Sequence, residues 1–265
     1  MGSATREALA SSRTALAASG STADLATGES LFEAARVVGD SPQLLAALAD
    51  PAADAVAKAA LVSSVFANSV TPGALQLLQA VAAARWSTPD DLLAGIEDLG
   101  LRTAAASAPA GTSIEDELFS FGETVSSDAG LELALASKLG EADAKARLVD
   151  SLLTGKVSPQ SLAIIRHLVL LPRGRRIGEL VRHAASVVAD EAGFAIATIT
   201  SARPLSVQQL DRLKRGLASR YGRELTVNQI VDPDVVGGVR VQIGDDVIDG
   251  SVATRLNDLR LQLAG

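Results

Sequence analysis

The chain repeats itself. Sliding the sequence by 87 positions, without a gap, lays Leu31-Phe32 on Leu118-Phe119, Leu44 on Leu131, and Ala47-Leu48-Ala49 on Ala134-Leu135-Ala136. The register continues with Ala57-Lys58-Ala59 on Ala144-Lys145-Ala146, Leu61-Val62 on Leu148-Val149, Ser64 on Ser151, Val70 on Val157, Pro72 on Pro159 and Leu75 on Leu162. Apolar coincidences are common between Ala/Leu-rich helices. An ungapped register that also aligns a lysine, a proline and a Leu-Phe pair marks a duplicated helical unit. The same shift carries residues 4–19 onto 91–106, so the last helix of the first copy stands where the second copy begins. Ala108-Pro109-Ala110-Gly111 is a short break rather than a linker, and the two copies are expected to stack.

Each copy shows the same coarse helices. In the first, residues 4–19 form an opening helix, and Leu31, Ala34, Ala35 and Val38 recur at helical spacing. Ser41 is placed to cap a short helix over Leu44–Leu48, which Asp50-Pro51 ends. A helix from Asp54 to Phe66 follows, with Val56, Ala60, Leu61 and Val65 read as its apolar stripe. Thr71-Pro72 pairs an N-cap with proline at N1, and Ser158-Pro159 repeats the device ahead of Leu162, Ile165, Leu168 and Val169. Another helix opens near Thr88-Pro89-Asp90 and runs to about Ala106.

From Phe194 the period changes. Phe194–Thr200 is apolar on both faces, as a central strand would be. Ser206 and Gln209 make a capping box for a helix expected to bury Val207, Leu210, Leu213, Leu217 and Tyr221 and to stop at Gly222. Leu225–Val231 reads as a second strand. Val239, Val241 and Ile243 alternate with Arg240 and Gln242 as a third, and Gly244-Asp245-Asp246 turns into Val247-Ile248. Asp249 or Ser251 caps a last helix with Val252, Leu256, Leu259 and Leu263 on one face. The fold class is therefore mainly α: a duplicated N-terminal helical bundle, then a small α/β domain with a β-hairpin and a terminal helix. The domains divide as 1–110, 111–193 and 194–265.

The search for chemistry finds structural residues. His167 and His183, sixteen positions apart, have neither the i, i+4 spacing nor the nearby carboxylate-rich cluster of a metal pair, and read as ordinary core or surface histidines. The aspartates 232, 234, 245, 246 and 249 lack the spacing of a calcium loop and read as turn and cap residues. Gly237-Gly238 is no phosphate loop, and no Gly-x-Ser-x-Gly elbow occurs. With no cysteine, thiolate chemistry and disulfides are excluded. A net charge of −7 argues against nucleic acid. Residues 1–110 carry 6 basic and 11 acidic residues, whereas 196–265 carry 9 and 8. The basic run Pro172-Arg-Gly-Arg-Arg176 reads first as a solvated turn between helices, with contact to an acidic protein partner as the remaining option. Without a signal segment or an apolar run of about 18–20 residues, a soluble cytosolic chain is expected. No catalytic residue, cofactor or metal is assigned.

The C-terminal stretch closely resembles the δ (oligomycin-sensitivity-conferring) subunits of F-type ATP synthases. The family pattern of Asp-Pro, Gly-Gly, hairpin, Asp-Gly-Ser and Arg-Leu stands here at Asp232-Pro233, Gly237-Gly238, Asp249-Gly250-Ser251 and Arg255-Leu256. Upstream, the segment from Thr200 through Ser201 to Ser206 is similar to the family's Ser-Ala-x-x-Leu region, and Ala46–Leu61, with Pro51 and Lys58, to its helical domain. Removing one repeat of 87 from 265 residues leaves 178, about the usual length, so the chain resembles the enlarged actinobacterial form with a duplicated helical unit. The resemblance implies a non-catalytic peripheral-stalk subunit that holds the catalytic α/β head to the b subunit against rotor torque. It implies attachment to the cytoplasmic face of the membrane through the complex, and contact with the β subunit as an option. It places an α-subunit N-terminal helix along the first helix and the Pro72–Arg85 helix, with Leu9, Leu16, Leu75 and Leu78 as candidates. It places the b subunit on the last helix, with Leu259, Leu261 and Leu263 as candidates. The reading set against it is a generic helical-repeat adaptor unrelated to ATP synthesis.

Overall fold

The computed structural model describes residues 2–20, 23–136, 142–222, 224–233, 235, 237–243 and 246–249. Its helices are α1 (Ser3–Ser19), α2 (Leu25–Asp40), α3 (Pro42–Ala49), α4 (Ala55–Phe66), α5 (Pro72–Ala83), α6 (Pro89–Ala106), α7 (Ile114–Ser127), α8 (Ala129–Ala136), α9 (Ala142–Leu153), α10 (Pro159–Leu170) and α11 (Ile177–Glu191). Then follow β1 (Phe194–Ser201), α12 (Val207–Tyr221), β2 (Glu224–Val231), β3 (Val239–Ile243) and β4 (Asp246–Asp249). The chain divides into two compact units at Val188/Ala189.

The duplication is written into the helices residue by residue. A shift of 87 takes the bounds of α3, α4 and α5 onto those of α8, α9 and α10. Side-chain bonds repeat with it. Ser30 Oγ accepts from the backbone N–H of Thr71 at 3.3 Å, and its counterpart Glu117 accepts from Ser158 N at 3.0 and 3.1 Å. Gln79 Nε2 donates to Ser63 Oγ, and at the matching positions Arg166 donates to Asp150. The hydroxyls of Thr71 and Ser158 cap α5 and α10, each with proline in the first turn. The first bond of each set ties the start of α5 or α10 to α2 or α7, and the second ties its middle to α4 or α9, so the same packing is fixed twice.

α6 is the shared element. It packs on α1, α2, α3 and α5 of the first copy and on α10 of the second, so Leu92, Leu93 and every residue from Gly95 to Ala104 are buried. With α10 also resting on α2 and α7, the helices up to Val188 cluster as one unit, and no boundary between compact units falls at 110/111. Close approach at two glycines makes this possible. A Cβ on Gly100 would lie 2.6 Å from the Phe32 ring, and one on Gly95 2.2 Å from the Trp86 ring.

The face of α4 differs from the expected stripe. Lys58, Val62 and Phe66 are buried, whereas Val56 and Val65 are 74% and 41% exposed, and Leu61 is half-buried. The helix is apolar nearly all round, so periodicity alone left the choice of face to tertiary packing. Burial holds the Lys58 ammonium below its ordinary pKa, against the pull of Asp50.

In the second unit the strand order is β2-β1-β3-β4, with β1 parallel to β2 and antiparallel to β3. A β-α-β unit thus carries the hairpin of β3 and β4 on its other side. β1 is central, as its two-faced apolar sequence requires. Ala197, Ile199, Leu225 and Val241 meet Leu217 of α12, with Leu210, Leu213 and Tyr221 packed around them. The capping box of Ser206 and Gln209 is formed, and Gly222 ends the helix in the left-handed conformation at φ 64°. Val207 does not join this core: it is 75% exposed at the first position of α12, where the chain enters the helix from the solvent side.

Candidate docking surfaces

Helix α1 is clamped to α6 on one side. Thr5 Oγ1 donates to Asp91 at 2.9 Å, and Arg13 reaches Asp98 through Nε and Nη2 at 3.2 and 2.9 Å. Asp98 also accepts from Arg102 Nε at 2.9 Å, so one carboxylate serves two guanidiniums. The buried line of α1 is Thr5, Ala8, Ser12 and Leu16, and the rest of the helix reaches solvent or is half-covered. Of the four residues expected to meet an α-subunit helix, Leu9 and Leu75 are partly buried at the edge of the core. Leu16 and Leu78 are core residues, 6% and 3% exposed, and offer a partner little surface. Their helical spacing marks the packed face equally well, which is why the sequence could not separate the two roles.

A charged cluster lies where the copies join. Glu97 of α6 receives Arg173 Nη2 at 2.6 Å and Arg175 Nη2 at 3.5 Å, both from the α10–α11 turn. His167 of α10 brings Nε2 to 3.4 Å from Glu97 Oε1 while its ring stacks on Phe32, centroids 4.3 Å apart. Neither imidazole nitrogen completes a hydrogen bond within the described residues. The basic turn is therefore a lid of arginines on a buried carboxylate, not the solvated connection expected. The single glutamate in the α6 sequence that meets it was the available signal.

The electrostatics follow from burial. Desolvation pushes the His167 imidazole below its ordinary pKa, against the pull of Glu97, so the ring is neutral at neutral pH. Burial alone would raise Glu97, but the adjacent His167, Arg173 and Arg175 together hold it below the usual carboxylate range. Both folded pKa values lie below the unfolded ones. Stability from His167 is thus fully present above about pH 6.5 and is lost as pH falls through its depressed folded value. Urea midpoints should fall on acidification below that pH, with a slope of up to about 1.4 kcal/mol per pH unit from this residue. His167→Gln should flatten the slope; an unchanged slope would show that His167 is not its source.

Ser201, 2% exposed, donates Oγ–H to Arg203 O at 2.9 Å and accepts from Gln229 Nε2 at 3.2 Å. Its carbonyl accepts from Asp232 N at 2.9 Å, which joins the end of β1 to the loop after β2. Pro233 lies exposed in that loop, and Gly237 and Gly238 take φ values of 65° and 80° that side chains disfavour. Asp249 faces Arg240 across the β3–β4 ladder. Gly250, Ser251, Arg255, Leu256, Leu259, Leu261 and Leu263, with the expected last helix, lie outside the described residues, as do Asp234, Gly244 and Asp245. Among the described residues, no group of three or more His, Asp or Glu is placed to hold a metal, and no helix is long and apolar enough to cross a membrane.

The chain thus consists of a doubled helical unit and a small α/β unit. Residues 101–263 match the sequence pattern of the family described as ATP synthase delta (OSCP) subunit. The chain is 56% identical over 265 residues to the ATP synthase subunit delta of Leifsonia xyli, covering all of both chains. It is 39% identical to that of Kineococcus radiotolerans over 90% of this chain and 88% of the relative, and 37% identical to that of Streptomyces griseus over the full length of both. The chain belongs to the ATP synthase delta (OSCP) subunit family. It is accordingly a structural stator component of the synthase, without catalysis of its own, and its partners lie within that membrane-associated complex.

Proposed function

We propose that the first helical copy grips the catalytic head through an N-terminal helix of an α subunit, while the C-terminal unit holds the b subunit of the peripheral stalk. The observation that carries the first half is the contrast between α1 and α6. The equivalent helices open the two copies, but α6 is buried on every side from Gly95 to Ala104 whereas α1 is buried along one line only. A helix-in-groove contact needs an uncovered flank, and the α1–α5 pair supplies it at Leu9 and Leu75. Support for the second half is the family pattern, which runs on to Leu263 and includes the candidates Leu259, Leu261 and Leu263. The protein then works on the cytoplasmic face of the cell membrane, reaching it only through the complex. A generic adaptor is disfavoured by full-length relatives that are ATP synthase delta subunits.

The division of labour is open to test. Leu9→Asp with Leu75→Asp should weaken binding of an α-subunit N-terminal peptide at least about tenfold, because each places a charge in a desolvated contact. Removal of residues 232–265 should abolish b binding and leave the peptide bound. Loss of both activities together in either variant, with the helical unit still folded by circular dichroism, would sink the proposal.

A further inference from the structure

We propose that the cavity between α2 and α10 is a binding site for a phosphate group, either free or carried on a small monoester. It encloses about 420 Å³ where the two helical copies meet, within the size range of small-ligand pockets. Its lining is graded inward from solvent. Glu29 and Glu33 are exposed, Ser30, Arg36 and Arg166 are half-buried, and His167 is 1% exposed. Two groups at the inner end lack a partner. Arg36 makes no hydrogen bond or ion pair among the described residues. Burial and the neighbouring Arg166 disfavour its charge, and the more distant pull of Glu33 and Asp40 does not offset them. His167 Nδ1 is buried with nothing to bond. Its Nε2 stands 3.4 Å from Glu97, whose ionised carboxylate keeps the ring hydrogen on that nitrogen, so Nδ1 presents a bare lone pair. Burial, then Arg36 and Arg173, disfavour a charge on the ring, and only Glu97 favours one.

The repeat shows that packing alone does not call for these groups. At the matching positions α5 has Gln79 and Ala80 in place of Arg166 and His167, and α7 has Glu123 in place of Arg36. The same helical framework forms without them. A protonated phosphate fits their mixture of donors and acceptors. Two of its oxygens accept from the guanidiniums of Arg36 and Arg166, the charge-assisted contacts that arginine makes best. Arg166 bonds Asp150 through Nε and Nη2, which leaves Nη1 to donate. A third oxygen shares one proton with His167 Nδ1, whichever of the two carries it, and so satisfies that buried nitrogen. Ser30 Oγ accepts from Thr71 N and keeps its own hydrogen for the ligand. Glu29 and Glu33 at the mouth suit the hydroxyls of a small monoester and repel the further charges of a polyphosphate. Sulfate and carboxylates bring no proton at neutral pH, so beside a neutral His167 they leave Nδ1 unpaired.

The test titrates the full chain at neutral pH and constant ionic strength with sodium phosphate, glycerol phosphate, sulfate or acetate. The chain has two histidines, so proton NMR resolves the ring of His167 with His183 as an internal control. Phosphate should move the His167 signals saturably, with a Kd of about 1 mM or below, and raise the melting temperature while His183 stays unmoved. Sulfate and acetate should bind at least about tenfold more weakly, the loss expected for one hydrogen bond to a charged group. Arg36→Gln should remove the phosphate response and keep the circular dichroism of wild type. Arg166→Gln, which installs the residue that α5 carries at that position, should weaken binding about tenfold. Tighter binding of glycerol phosphate than of phosphate assigns the monoester as occupant, and equal affinity assigns the free anion. A His167 signal that does not move, equal affinity for phosphate and sulfate, or a response kept by Arg36→Gln would overturn the proposal.

Discussion

Phe32→Ala should destabilise the helical unit by about 3–5 kcal/mol, the range for truncating a large buried aromatic. The ring is 2% exposed and fills the space that Gly100 leaves on α6. It also stacks on His167, so one side chain from α2 joins the helix shared by both copies to the second copy. Its removal leaves a cavity at the junction, because α6, held by neighbours on all sides, cannot collapse into it. Urea unfolding followed by circular dichroism measures the loss. The His167 ring would also gain access to water, so its depressed pKa should rise toward the ordinary histidine value, visible in the proton NMR titration of the ring. A loss below about 1 kcal/mol would show that the two copies are not coupled through this residue.

Glu97→Ala should destabilise by about 3 kcal/mol, through what it leaves behind rather than what it removes. Arg173, with its side chain 19% exposed, would lose its 2.6 Å partner, and neutral His167 would lose the carboxylate beside it. Arg175 is more exposed, at 36%, so water screens it and it adds little. The sign of the pH dependence supplies an internal check. Glu97 is held ionised below the usual range, so its contribution is present above about pH 4.5 and vanishes as pH falls through its folded value. The deficit of Glu97→Ala relative to wild type should therefore shrink in acid. Combining it with Arg173→Leu should recover part of the stability, since a buried pair replaced by apolar groups of similar volume is often neutral. If the double variant is no better than Glu97→Ala, the arginine is not buried against this carboxylate in solution.

The two variants also mark the limit of what the sequence disclosed. The repeat was legible because a duplicated unit reproduces every constraint in register, down to the capping residues Thr71 and Ser158 and the buried pair Lys58 and Lys145. The small α/β unit was legible because alternation in β3 and the capping box of α12 are local signals. The face of α4 was not, since an alanine-rich helix has an apolar residue on every side and only its neighbours decide which are covered. The Glu97 cluster was hidden for a different reason. Its members are separated by as many as 78 positions, and a Pro-Arg-Gly-Arg-Arg run looks the same whether solvent or a buried carboxylate receives it. Leu16 and Leu78 illustrate the same ambiguity, since a leucine stripe can serve the core or a partner.

The doubled architecture suits a part that transmits force without turning over substrate. In it, Asp98 ties α6 to α1 and Glu97 ties the same helix to the turn before α11, so one helix is joined to both copies. The most direct measurement of the stator role is co-purification of the tagged native chain from membranes under mild detergent. The account predicts that the α, β and b subunits of the ATP synthase come down with it, and that Leu9→Asp with Leu75→Asp releases α and β while b stays. Recovery of the chain without any of these subunits would contradict it.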